Sequence, residues 1–177
     1  DSRKVLHVES MTAETNQLTV EEGRLPEKSG ECFLDAAFAE AQGYEVGSSI
    51  DLEEPEDQEN LKTKTYTVAG IGKSPLYTSY NRGNSTLGSG EVNGFAYILP
   101  EDFDQEVYTQ IYIRVHGGEK TTSYTDAYEL LTDRLQENVE GIQEEQCRLR
   151  YEEVMTEAEE ELADAEKELE DGRKEAE

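Results

Sequence analysis

Catalysis needs nucleophiles, bases, metal ligands or phosphate cradles at workable spacings, and this chain offers few. Its only two histidines are His7 and His116. Neither has a close His or Cys neighbour at metal-ligand spacing. No G-x-S-x-G elbow is present, and the Gly88-Ser89-Gly90 run does not make one. With 42 acids in 177 residues, some carboxylate pair is inevitable, so a pair alone carries no weight as an acid–base site. The run "DLEEPEDQEN", residues 51–60, lacks the positional pattern of a calcium loop and reads as a solvated acidic turn. The nearest approach to a motif is "NRGNSTLGSGEVNG", residues 81–94. Its Gly83 and Gly88 are separated by four residues, as in the phosphate loop G-x-x-x-x-G-K-[ST]. The Lys and Ser/Thr that should follow are replaced by Ser89 and Gly90, and the stretch leads into a strand pattern instead of a helix. The expectation is therefore a non-enzymatic chain with no catalytic residue, no cofactor and no metal.

Charge narrows the partners. A formal charge of −26 repels nucleic-acid phosphates and anionic membrane surfaces alike, which excludes nucleic acid as a partner. The excess is uneven: residues 151–177 hold thirteen acids against three bases, a net of −10. The rest reads as an acidic but ordinary globular domain with a modest core. No apolar run is long enough to span a membrane. The chain starts within a strand-like pattern and stops within a helical one, so it reads as a fragment of a longer protein. Cys32 and Cys147 lie 115 residues apart and are either two unpaired thiols or a disulfide tying body to helix.

The elements follow from periodicity. "VLHVES", Leu18 to Val20, and Cys32 to Leu34 are strand candidates. Asp35 opens the Ala-rich helix "DAAFAEAQGY", with Gly43 suited to its left-handed C-terminal position. "EVGSSIDL", "KTYTVAGIG" and "GFAYILP" read as strands, and "PEDF" as a turn or short helix. In "EVYTQIYIRV", Val107, Thr109, Ile111, Ile113 and Val115 alternate with polar and Tyr residues, which predicts a half-buried strand. The period then changes to 3.6, with Tyr124, Tyr128, Leu131, Leu135, Val139 and Ile142 on one face and Gly141 interrupting. Beyond it a heptad takes over. Met155, Leu162, Leu169 and Ala176 fall seven apart, with Tyr151, Ala158, Ala165 and Gly172 at the complementary seam positions. The predicted fold is α+β: a small mixed or antiparallel β body with short helices over 1–121, a helix packing on it over 122–150, and a long C-terminal coiled-coil arm over 151–177. Alternating large and small seam layers suit an offset antiparallel partner helix.

Several of these pieces, in order, resemble the extracytoplasmic, MacB-like periplasmic core domain of FtsX/MacB-type ABC transporter permeases. They are the turn Gly23-Arg24-Leu25-Pro26, then Gly30-Glu31, the helix over 35–42, the segment 43–52 and the "YTVAGI" strand over 66–71. The later "SPLYTSYNRGNSTLGSGEVNGFAYILPEDFDQEVYTQIYIRV" is similar to the Firmicutes-type version, in which an acidic coiled coil of the "EEEL-x-DAEKEL-x-DG" kind follows. The resemblance spans most of residues 18–177.

It implies a domain on the outer face of the cell membrane, between membrane helices that lie outside this sequence. ATP would be bound and hydrolysed by a separate ATP-binding subunit, and this domain would couple the resulting movement to a substrate or partner outside the cell. No catalytic residue carries over. Candidate partner contacts are Tyr77, Tyr80 and Arg82, weighed against ordinary packing of the two tyrosines under the loop. The seam of Met155, Ala158, Leu162, Ala165 and Leu169 is a second candidate, pairing with a second permease or with its own return arm. An extracellular protein or peptide is a further expected partner. The competing reading is a free-standing cell-surface binding or adhesion module, to which exposed tyrosines and acidic charge are also suited. A carboxylate-based hydrolase is the third.

Overall fold

A computed structural model describes residues 3–55, 59–105 and 107–175. The chain is α+β, with a mixed six-stranded sheet, short helices and one long C-terminal helix. Two compact units divide at Tyr112 and Ile113.

In the first unit the strands are β1 (Leu6–Ser10), β2 (Thr19–Gly23), β3 (Glu31–Asp35), β4 (Ser49–Asp51), β5 (Thr65–Lys73) and β6 (Gly94–Ile98). They are ordered β1-β6-β3-β5-β2, and β4 also pairs with β5. The β1–β6 and β3–β5 pairs are parallel; β3–β6, β2–β5 and β4–β5 are antiparallel. The central strands are buried on both faces, which is why β3 and β6 read as continuous apolar runs instead of alternating ones. Period two then sorts their side chains. Cys32, Leu34, Ala96 and Ile98 join one core cluster with Tyr66, Val68 and Phe38. Phe33, Phe95 and Tyr97 form the other, covered by Met11, Leu18, Leu25 and Tyr77.

The short helix α1 (Ala36–Gln42) lays Phe38 and Ala39 into the first cluster. It starts and stops where its sequence directs: Asp35 accepts the Ala37 amide at 3.1 Å, and Gly43 takes φ 76°. The expected strands before residue 100 all form, and the expected turn takes 3-10 form at Pro100–Asp102. Residues 107–115 are the exception: they belong to no strand. Alternation makes a strand only where a neighbouring ladder takes up its backbone groups, and here Ile111 is 74% exposed. Glu106, within that expected strand, lies outside the described residues.

The second unit is dominated by α2 (Asp126–Glu175), 50 residues long. Thr125 begins it, its carbonyl accepting the amides of Tyr128 and Glu129. Asp126 and Glu129 in the first turn and Arg173 and Lys174 in the last complement the helix dipole. Arg148 bridges Glu145 and Glu152, and Arg150 bridges Glu153, along the exposed surface. The helix runs unbroken through Gly141 and across the expected division at 150/151. Tyr124 precedes it, with φ 65°. Of the seam, Ala176 lies outside the described residues.

Candidate functional site

The glycine-rich segment 81–94 folds back on itself as a small hairpin. Asn84 bridges Glu91, the Ser85 amide donates to Gly90 O at 3.0 Å, and the Val92 amide donates to Gly83 O at 3.0 Å. Gly83, Gly88 and Gly90 supply the positive φ angles that the reversal requires. Its amides are therefore turned to one another, not arrayed around a ligand, and the segment leads directly into β6.

Arg82 anchors this hairpin to the body. Its Nε donates to Asp35 Oδ2 at 2.8 Å and its Nη2 to Asp35 Oδ1 at 3.1 Å. The two side chains are 13% and 1% exposed. Nη1 donates to the carbonyls of Tyr77 (3.0 Å) and Ser79, and the guanidinium lies 5.9 Å over the Phe95 ring. The planar fork suits this bidentate arrangement as a Lys ammonium would not. Asp35 thereby caps α1 and holds the loop at once.

Tyr77 also turns inward. Its ring stacks on Phe95 at a centroid distance of 4.8 Å, and its hydroxyl donates to Glu9 Oε1 at 3.0 Å. The Tyr77 hydroxyl oxygen also lies 2.6 Å from His7 Nδ1. A phenol has one proton; given to Glu9, it leaves the oxygen as acceptor and makes His7 Nδ1 the donor. Burial first, then the Glu9 carboxylate, pushes the Tyr77 hydroxyl well above its ordinary pKa. Tyr97 beside it is raised to about 12, chiefly by burial, and its hydroxyl pairs with Ser74 at 2.8 Å. Burial and Glu9 raise Tyr112 as well. Tyr77 and Tyr97 are neutral hydrogen-bonding groups, and the buried Tyr112 hydroxyl makes no hydrogen bond among the described residues; none of the three is a nucleophile poised near neutral pH.

Tyr80, by contrast, is 100% exposed. The three residues expected as one contact cluster thus divide: Arg82 and Tyr77 build the loop, and Tyr80 alone is presented. Elsewhere on the body, a groove of about 740 Å³ runs beside β1 and α1. Leu6, Phe38, Tyr44, Leu52 and Phe103 line it, and Arg3 and Glu53 meet at 3.8 Å on its rim. A second structural ion pair, between Arg24 and Glu31, holds the turn before β3, with contacts of 2.7 and 2.6 Å. Arg24, and then the Glu27 amide, pull the Glu31 carboxyl down to about 2.

Both cysteines are free thiols; burial raises Cys32 to about 12, while Cys147 is exposed on α2. Among the described residues no group of three His, Cys, Asp or Glu side chains could hold a metal ion. The described seam positions of α2 are all exposed, with Leu162 at 61% and Leu169 at 63%. Sequence reading missed the Arg82–Asp35 pair. The one available signal was an isolated Arg in a loop otherwise free of charge up to Glu91, and it did not name its partner. Comparison with family models, with curated proteins and with solved structures finds no match to this chain.

Proposed function

We propose that this chain is a non-catalytic, extracytoplasmic domain of an ABC transporter permease, coupling ATP-driven movement of membrane helices to a partner or substrate outside the cell. The observation that carries this reading is the joint behaviour of the segments that resemble the family. The Gly23–Pro26 turn, β3, α1, β4 and β5 are consecutive parts of one small mixed sheet, and a 50-residue acidic helix with an exposed apolar seam follows. Two carboxylates buried in the body serve a cap and a turn: Asp35 caps α1, and Asp102 accepts from Ser29 and the Gly30 amide. None of the described helices is long and apolar enough to cross a membrane, so the reading requires spans elsewhere in the polypeptide.

The test uses the exposed Cys147 in the full-length protein on intact cells. A membrane-impermeant maleimide is expected to label Cys147 without lysis, and purification in detergent is expected to bring down an ATPase bearing a phosphate loop. Labelling only after lysis would overturn the location. Labelling without any ATPase would overturn the transporter and favour a surface adhesion module.

A further inference from the structure

We propose that residues 107–112 are a strap that closes onto the outer edge of β1 as a further strand of the sheet, in a second conformation that covers the groove beside α1. The inference stands independently of the transport reading. β1 lies at one end of the strand order and pairs with β6 alone among the described residues. The Val5 carbonyl accepts the Asn93 amide at 2.7 Å, and the Met11 amide donates to Ile98 O at 2.8 Å. Odd-numbered residues therefore bond toward β6. The amides and carbonyls of Leu6, Val8 and Ser10 face outward, where no described strand takes them up. Sheet edges of this kind are ordinarily covered, bent away or guarded by charge. β1 holds no Lys and no Pro, and its one acid, Glu9, is turned in to Tyr77.

Residues 107–112 are the complementary half. They alternate as a strand does, yet they belong to none, and Val107, Tyr108 and Ile111 are exposed. The chain on either side of them is already seated on opposite faces of β1. Leu6 and Val8 pack on the first core cluster, whereas Glu9 reaches Tyr77 of the second. On the N-terminal side, the Asp104 amide donates to Asn60 O at 2.7 Å, and Gln105 lines the groove together with Leu6 and Val8. At the C-terminal end the Tyr112 hydroxyl is buried on the other face, close enough to the Glu9 carboxylate to be raised by it. These two ends fix the phase of an extended chain between them, because its side chains alternate. Gln105 on the groove face puts Val107, Thr109 and Ile111 there as well. Tyr112 on the Glu9 face takes Tyr108 and Gln110 with it. Both ends give the same phase, and a strand can lie in a sheet edge only in a phase that suits both faces. Closure would lay Val107 and Ile111 beside Leu6 and Val8 and give the outward groups of β1 a ladder. Six residues of strand span about 20 Å, enough to match the five residues of β1.

The test uses the 177-residue chain, native and as Thr109→Pro/Gln110→Pro. Successive amides of a strand point to opposite sides, so the double variant loses whichever one would face β1. Both positions lie outside every strand, and circular dichroism should be unchanged. The amides of Leu6, Val8 and Ser10 are expected to exchange at least about threefold more slowly in the native chain than in the variant, with the amides of β6 alike in both. A fluorescent peptide with the sequence of residues 105–112 should bind the variant more tightly than the native chain by the same factor, because both readouts report the fraction of edges left open. A second variant, Val107→Asp/Ile111→Asp, keeps every strap amide but charges the groove face, and should behave likewise. Equal exchange and equal peptide affinity across the native chain and both variants would overturn the proposal. So would equal binding of a peptide with the same residues and its alternation scrambled, or peptide binding that leaves Leu6, Val8 and Ser10 unprotected. A factor that grows with chain concentration would overturn it in favour of strap exchange between two copies.

Discussion

Two residues that look alike in the sequence as surface contacts, Tyr80 and Arg82, have opposite standing in the fold. Arg82→Ala would leave Asp35 with a buried, uncompensated charge at the start of α1. Breaking such a pair costs about 3–5 kcal/mol, whereas Tyr80→Ala should stay within about 0.5 kcal/mol. Urea denaturation of both variants checks the contrast, and equal midpoints would contradict the anchoring role. Glu31 predicts a pH dependence of definite sign. Its carboxyl lies near 2 in the fold against an ordinary value near 4.5, so its stabilisation is complete above the unfolded value and is lost as pH falls toward 2. The denaturation midpoints of the native chain and Glu31→Gln should therefore differ most at pH 6–7 and converge between about pH 5 and 2. A gap that stays constant over that range would rule this out.

At the scale of elements, β2 lies close against β5 because two glycines leave room for it. A Cβ on Gly72 would come within 2.0 Å of Thr19 O and 2.8 Å of the Phe33 ring, and one on Gly70 within 2.1 Å of Arg24 O. The nearest obstacle to each, Thr19 O and Arg24 O, is backbone and cannot turn aside. Gly72→Ala should cost at least the about 1–3 kcal/mol of an overpacked core and should loosen the β2–β5 pairing first. Hydrogen exchange would show this as faster amides in β2 with α1 unchanged; uniform protection would refute it. The α1 boundaries were legible because Asp35 and Gly43 act through their own backbone neighbours. The expected strand over 107–115 was not decidable in the same way. Its alternation is real, but the ladder that would complete it has to come from residues distant in sequence.

For the whole molecule, the division into units is the testable statement. All six strands and both core clusters lie within the first unit, so cutting the chain after Tyr151 removes 24 of the 50 residues of α2 and no strand. Circular dichroism should lose roughly half of the contribution of α2 while the sheet signal and the cooperative unfolding of the body persist. Collapse of the sheet on truncation would mean that the body depends on the arm. By itself, the sequence determined the α+β class, the order of the strands along the chain, the caps of α1 and the acidic heptads of α2. Each of these is written in short-range periodicity, turn chemistry or summed charge, which act over a few residues. Only the tertiary structure decided that β1 lies beside β6 while β5 takes three neighbours, that Arg82 is spent on Asp35, and that Tyr77 turns inward to Glu9 and His7 while Tyr80 stays out. The side-chain pairings among them join residues 47 to 70 positions apart, and no local pattern says which distant group will share a buried charge or a phenolic proton.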